Sequence, residues 1–251
     1  MRRELILGDC LDVLPTIADG SVGMVFADLP YGTTRNRWDS KIDLGELWTQ
    51  LRRVARPGAA FVFTAQMPFT AEVLMSNPRW FRHHWVWEKT NATGHLNAKR
   101  APMKAHEDVL VFCERQPTYN PQKTQGHERK VSSAASKART LGNESNWGTQ
   151  TATSYDSTER YPRTVQTFAA DKQKLSLHRT QKPLAMVEYF LRTYALPGDL
   201  VLDPTAGSGT TGAAADLTGN PFVLIEGDAV EGAKAAARLD LTAAPAQARA
   251  A

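Results

Sequence analysis

Hydrophobic residues in this chain recur in two patterns, short unbroken runs and stretches with helical spacing. Residues 4–7 read as a short strand closed by Gly8-Asp9, and residues 10–17 as one or two helical turns. Residues 22–27 are continuously apolar between Gly20 and Pro30, which suits a strand covered on both faces in a mainly parallel sheet. Leu44, Leu47, Trp48, Leu51 and Val54 predict a helix, stopped by Pro57-Gly58. Residues 59–64 read as the next strand, 69–75 as a helix, 81–87 as a strand and 108–113 as a further apolar run.

The pattern then breaks. From about residue 114 to 174 the chain is rich in Ser, Thr, Gln, Asn and Arg, with lone aromatics such as Trp147, Tyr155 and Tyr161. Regular patterning resumes with a helix over 184–194, ended by Pro197-Gly198. A strand over 200–202, a helix from 212, a strand over 222–225 and a helix over 229–239 follow, and the Ala-rich tail from about 242 is expected to fray. Alternating strands and helices predict an α/β fold with a largely parallel sheet, interrupted by an insertion.

Charge sharpens that division. The 251 residues carry a formal net charge of +4, yet residues 115–182 hold twelve Lys and Arg against five Asp and Glu. The insertion and its borders are therefore basic while the rest is slightly acidic, which suits an anionic partner at the insertion. Two distant cysteines, Cys10 and Cys113, supply neither a zinc cluster nor a disulfide framework, so no metal is expected and a reducing, cytoplasmic setting fits. No stretch has the length of a membrane span.

Two stretches carry chemistry. In residues 25–32, VFADLPYG, an aspartate, a proline and a tyrosine follow directly on a strand, which strand formation does not require. In residues 201–212, VLDPTAGSGTTG, a short strand runs through a glycine-rich turn into a helix, whose first backbone N–H groups lack partners. A phosphate-binding P-loop fails here, because Ala213 follows the last glycine instead of Lys. Gly207, Gly209 and Gly212 do fit a dinucleotide fingerprint, and Glu226, ending the next strand, is placed to accept from two ribose hydroxyls. However, too little chain follows to complete a dinucleotide fold, and Asp203 would repel a pyrophosphate and attract a cationic ligand. The alternatives are an adenosine cofactor of another kind or a loop that binds nothing.

Three motifs in order resemble one family. Asp28-Leu29-Pro30-Tyr31 resembles the Asp-Pro-Pro-Tyr motif of DNA methyltransferases acting on exocyclic amino groups. Residues 203–209, DPTAGSG, resemble the S-adenosylmethionine loop of those enzymes, and residues 178–183, HRTQKP, are similar to their His-Pro-Thr-Gln-Lys-Pro segment. The order of catalytic motif, recognition region and cofactor loop is that of the beta subgroup, a circular permutation in which the early strands complete the sheet. Leu29 and Arg179 stand where the family commonly has proline.

The resemblance implies a Rossmann-like methyltransferase fold with the catalytic half at 1–113, an inserted target-recognition region at 114–177, a cofactor-binding half at 178–241 and a tail at 242–251. It implies direct, in-line transfer of a methyl group from S-adenosyl-L-methionine to adenine N6 of a flipped-out base in double-stranded DNA, with N4-cytosine methylation or an inactive DNA-binding relative as alternatives. The Asp28 carboxylate and the Leu29 carbonyl would accept from the amine, Pro30 would stiffen the turn, and Tyr31 would stack on the base. The cofactor would be held by Asp9, Cys10, Asp28, Thr180, Gln181, Lys182, Asp203, Pro204, Thr205, Gly207, Ser208, Gly209, Thr210 and Glu226, with Lys182 meeting its carboxylate. Arg35, Arg37, Trp38, Lys89, Lys99 and Arg100 are the expected DNA contacts. A homodimer is compatible with the resemblance.

Overall fold

A computed structural model describes residues 1–32, 40–141, 153–170 and 181–245. They fall into two compact units, residues 1–120 with 164 onward, and residues 121–163. The first unit is built on a nine-stranded sheet. Its strands are β1 (Arg3–Leu7), β2 (Val22–Asp28), β3 (Ala55–Ala65), β4 (Phe81–Thr93), β5 (Lys104–Phe112), β8 (Val165–Phe168), β9 (Val201–Asp203), β10 (Phe222–Glu226) and β11 (Ala244–Pro245). The spatial order is β11-β1-β10-β9-β2-β3-β5-β4-β8. From β11 to β3 every pairing is parallel, and β5 runs antiparallel to both β3 and β4.

Alternation along the central strands creates two cores. Met24 and Phe26 of β2 face one side, with helices α5 (Leu184–Tyr194), α6 (Thr210–Thr218) and α7 (Ala229–Leu239). Val25 and Ala27 face the other, with α1 (Cys10–Val13), α2 (Leu44–Val54) and α3 (Phe69–Ser76). Both faces of β2 are thus apolar because both are covered. Helix α2 follows the expected apolar spacing, starts on an Asp43 side-chain cap and buries Leu47, Trp48, Leu51 and Val54.

Three boundaries depart from the sequence pattern. Strand β3 begins at Ala55 and passes through Pro57-Gly58, because the pairing with β2 slips from Val22↔Ala55 to Met24↔Ala60 and lets the intervening residues bulge. Strand β4 continues beyond Trp87 to Thr93, its polar end held by pairs such as Thr93↔Lys104 with β5 and Glu88↔Thr167 with β8. The tail forms β11 beside β1, with Ile6↔Ala244 and Leu7↔Pro245 paired.

Within the polar stretch of residues 114–174, β8 belongs to the main sheet, while residues 121–163 form the second unit. The second unit, residues 121–163, contains β6 (Lys130–Ser132) antiparallel to β7 (Tyr155–Ser157) and helix α4 (Ala134–Leu141). Arg129 pairs with Asp156 at 2.6 Å and Lys123 with Glu159 at 2.9 Å. The Lys137 ammonium lies 5.4 Å from the centre of the Tyr155 ring, and Lys123 lies 4.9 Å from that of the exposed Tyr161.

Candidate active site

Strand order reverses between β9 and β2: from β9 the chain winds outward to β10, and from β2 it winds the other way to β3. In such sheets the carboxyl ends of the strands at the reversal leave a crevice for ligands. Asp28 ends β2 and Asp203 ends the adjacent β9. Around them is a cavity of about 1020 Å³. It is lined by Asp9, Cys10, Asp28 to Tyr31, Lys89, Glu107, Gln181, Lys182, Asp203, residues 205–208, Thr210 and Glu226.

The Asp28 carboxylate is held from three sides. Its Oδ1 accepts from the Thr64 hydroxyl at 2.5 Å and from the Tyr31 hydroxyl at 3.0 Å. Its Oδ2 accepts from the Lys182 ammonium at 2.8 Å. Thr64 is placed by register, since Asp28 and Thr64 are partners in the β2–β3 pairing. The Tyr31 ring is backed by Phe69, with centroids 5.2 Å apart and planes 28° apart. Burial, then the neighbouring Asp28 charge, pushes the Tyr31 phenol well above its usual pKa, so it remains a hydroxyl donor.

Behind Asp28 lies a carboxylate that the sequence pattern did not single out. Glu107 of β5 is buried, with Oε2 3.2 Å from Lys182 and Oε1 2.6 Å from Lys89. Burial by itself would raise the Glu107 carboxyl, but the charges of Lys182 and Lys89 outweigh it and hold it below the usual range. Burial likewise works against the Lys182 ammonium, yet Asp28, Tyr31 and Glu107 together raise its pKa well above the ordinary value. The available signal was an acid flanking an apolar strand: Glu107 shares its strand face with the buried Val109 and Val111.

The glycine-rich turn is organised by its two flanking acids. Asp203 accepts from the Thr205 backbone N–H at 2.9 Å and from the Thr211 hydroxyl at 2.5 Å. Burial nevertheless pushes its pKa up to about 7. Glu226 accepts from the backbone N–H groups of Gly207 and Asp228, both at 2.7 Å, and burial raises its pKa also. Gly209 precedes α6 with φ of 76°, a left-handed conformation that glycine adopts without cost. Ser208 reaches Gln181, donating to its amide oxygen at 3.4 Å. Asp9 caps α1 by accepting from the Leu11 N–H, and burial pushes the adjacent Cys10 thiol up to about 12.

The described residues of the glycine-rich turn therefore meet Asp28-Leu29-Pro30-Tyr31 in one cavity. Pro204 and Gly209 sit within the same turn but do not line the cavity. Two of the expected contact lysines have carboxylate partners within the protein. Lys182, expected at the cofactor's carboxylate, has its ammonium on Asp28 and Glu107. Lys89, expected at DNA, lies in the cavity wall paired with Glu107 because the buried carboxylate needs a counter-charge. Lys99 and Arg100 are exposed on the connection between β4 and β5. Arg35, Arg37, Trp38, Trp147 and Thr180 lie outside the described residues.

A family model described as DNA methylase (N6_N4_Mtase) matches residues 22–233. The chain belongs to this family. As a DNA methylase-family member it is 26% identical over 255 residues to the type II methyltransferase M.HinfI of Haemophilus influenzae, with 89% of this chain covered and 64% of M.HinfI spanned. It is also 26% identical over 236 residues to M1.MboII of Moraxella bovis, covering 86% of this chain and 88% of that protein. The crystal structure of the M1.HpyAVI–SAM complex has the same fold, with a TM-score of 0.67 at 19% identity over 95% of this chain and 99% of that one. So does PvuII DNA methyltransferase, described as cytosine-N4-specific, with a TM-score of 0.66 at 16% identity over 95% and 86% of the two chains. Among the described residues, no helix is long and apolar enough to cross a membrane.

Proposed function

We propose that this chain transfers a methyl group from S-adenosylmethionine to the N6 amino group of adenine in double-stranded DNA. One observation carries the reading: Asp28-Leu29-Pro30-Tyr31 and the loop from Asp203 to Thr210 share one cavity at the carboxyl ends of adjacent parallel strands, in a member of the DNA methylase family.

The residues present fit the cofactor. Asp9, Asp203 and Glu226 supply acceptors for hydroxyl, amino and cationic groups, and the loop at Gly207 and Ser208 brings backbone to the cavity surface. When bound, the cofactor supplies an electrophilic methyl group on a sulfonium. An exocyclic amine is a poor nucleophile, because its lone pair is delocalised into the ring. The Asp28 carboxylate accepts an N–H from that amine, the Leu29 carbonyl accepts the other, and the nitrogen lone pair is thereby localised. Tyr31, backed by Phe69, offers its ring to the extruded base. As the N–C bond forms, the methyl–sulfur bond breaks to leave a neutral thioether, and the nitrogen sheds its surplus proton along the hydrogen bond to Asp28. Catalysis is thus mainly alignment of two reactants. The preference for adenine rests on the acid at position 28, since related cytosine enzymes more often begin this motif with serine.

Residues 121–163 are proposed as the target-recognition unit, with Lys137–Tyr155 and Lys123–Tyr161 as cation-aromatic pairs suited to nucleic acid. Lys99 and Arg100 are proposed phosphate contacts. Transfer of a labelled methyl group to unmodified DNA tests the reading. The wild type labels DNA, while Asp28→Ala loses labelling and keeps cofactor binding. Full activity in Asp28→Ala would overturn the mechanism.

A further inference from the structure

Four charged side chains form an alternating row through the cavity wall, Lys89, Glu107, Lys182 and Asp28. They come from β4, β5, the segment before α5, and β2, so the row is assembled only when the sheet and that segment are in place. We propose that Lys182 is a positioning residue for the methyl-transfer reaction. It holds the Asp28 carboxylate in one orientation, while Glu107, backed by Lys89, balances its charge. This rests on the function proposed above and goes beyond it by assigning Lys182 to the amine side of the site.

The geometry supports this in three ways. First, Lys182 is among the buried residues, and a buried ammonium is retained only where opposite charge compensates its desolvation. Second, with Thr64 and Tyr31 on Oδ1 and Lys182 on Oδ2, the plane of the Asp28 carboxylate is fixed. Each carboxylate oxygen has two acceptor directions, so Oδ2 keeps one for an incoming amine. Third, the two cations and two anions of the row cancel. A neutral wall does not oppose a sulfonium, whereas an unbalanced lysine would. The charged and titratable groups facing Asp28 are Tyr31, Lys182 and, behind it, Glu107, with Asp203 across from the neighbouring loop.

Losing a hydrogen bond between charged groups costs on the order of tenfold or more, so Lys182→Met is expected to lower kcat at saturating substrates by about that factor. Its affinity for S-adenosylmethionine, by calorimetry, should not fall by more than about twofold, because the proposal places this lysine on Asp28 and its loss removes a positive charge near the sulfonium. Lys182→Arg keeps the charge and its donors and should recover most of kcat. Glu107→Gln preserves shape but leaves the row with one excess positive charge. It should weaken S-adenosylmethionine binding severalfold.

An unchanged kcat in Lys182→Met, or a loss that Lys182→Arg does not recover, would overturn the assignment, as would a tenfold or greater loss of cofactor affinity in Lys182→Met. Unchanged cofactor affinity in Glu107→Gln would overturn the charge-balance part, and needs no folded Lys182→Met to be measured. A wild-type protein that methylates no DNA refutes the proposed function instead, so the two failures are distinct.

Discussion

The Thr205 hydroxyl donates to the backbone carbonyl of Asp28 at 3.1 Å, joining the glycine-rich loop to the turn after β2 across a sequence separation of 177 residues. The same residue's N–H is held by Asp203. Thr205 therefore fixes the distance between the two halves of the site through both its backbone and its side chain. Valine is nearly isosteric and lacks the hydroxyl, and losing such a bond costs about 1 kcal/mol, roughly a fivefold effect. Thr205→Val is expected to lower kcat/KM by about that factor, with Thr205→Ser near wild type. Steady-state kinetics check this, and equal activity of the two variants would argue that the tie is idle.

Gly212 is fixed by packing. A Cβ built there would lie 2.7 Å from Leu239 Cδ1, 2.9 Å from Leu224 Cδ1 and 3.2 Å from Phe222 Cε2. All three neighbours are buried, two of them on β10 behind the helix, so none moves freely. Overpacking of this kind costs about 1–3 kcal/mol. Gly212→Ala is expected to lower the unfolding free energy by that amount, read as a lower denaturant midpoint, and an unchanged midpoint would mean that α6 shifts without cost.

Asp203 links pH to stability. Burial holds its carboxyl protonated up to about pH 7, whereas in the unfolded chain an aspartate ionises near about 3.9. As pH rises between those values the unfolded state gives up the proton first. This group's contribution is therefore complete below the unfolded value and is lost as pH rises through the folded one. In Asp203→Asn the fall of stability from about pH 4 to about pH 7 should be shallower than in wild type. Parallel stability–pH curves for the two proteins would refute the raised value.

Much of the first unit was legible because its elements bury one face or two. Helix α5 runs over the residues its spacing predicts, and the apolar run of β2 lies in the sheet as expected. Where one element's limits depend on another, the pattern failed. Pro57-Gly58 reads as a stop, and only the slipped pairing with β2 carries β3 through it. The polar end of β4 and all of β8 are strand because neighbouring strands hold them, with little apolar surface of their own to signal it.

The site divides in the same way. Asp28, Tyr31 and Asp203 stand in local motifs at strand ends, and such motifs are read from a few adjacent residues. Thr64 and Glu107 meet Asp28 and Lys182 only through strand neighbours, so nothing local marks Thr64, and Glu107 shows only as an acid flanking an apolar strand. The protein partners of Lys182 are hidden for the same reason, since they lie 154 residues away at Asp28 and on β5 at Glu107.

The most direct test of the proposed activity is to incubate the protein with S-adenosylmethionine and unmodified double-stranded DNA, digest the product to nucleosides and identify modified bases by mass spectrometry. N6-methyladenine, absent when Asp28 is replaced by Ala, is the predicted result. N4-methylcytosine would correct the base and leave the chemistry of Asp28 standing. DNA without any methylated base, from protein shown to bind the cofactor, would contradict the proposed function.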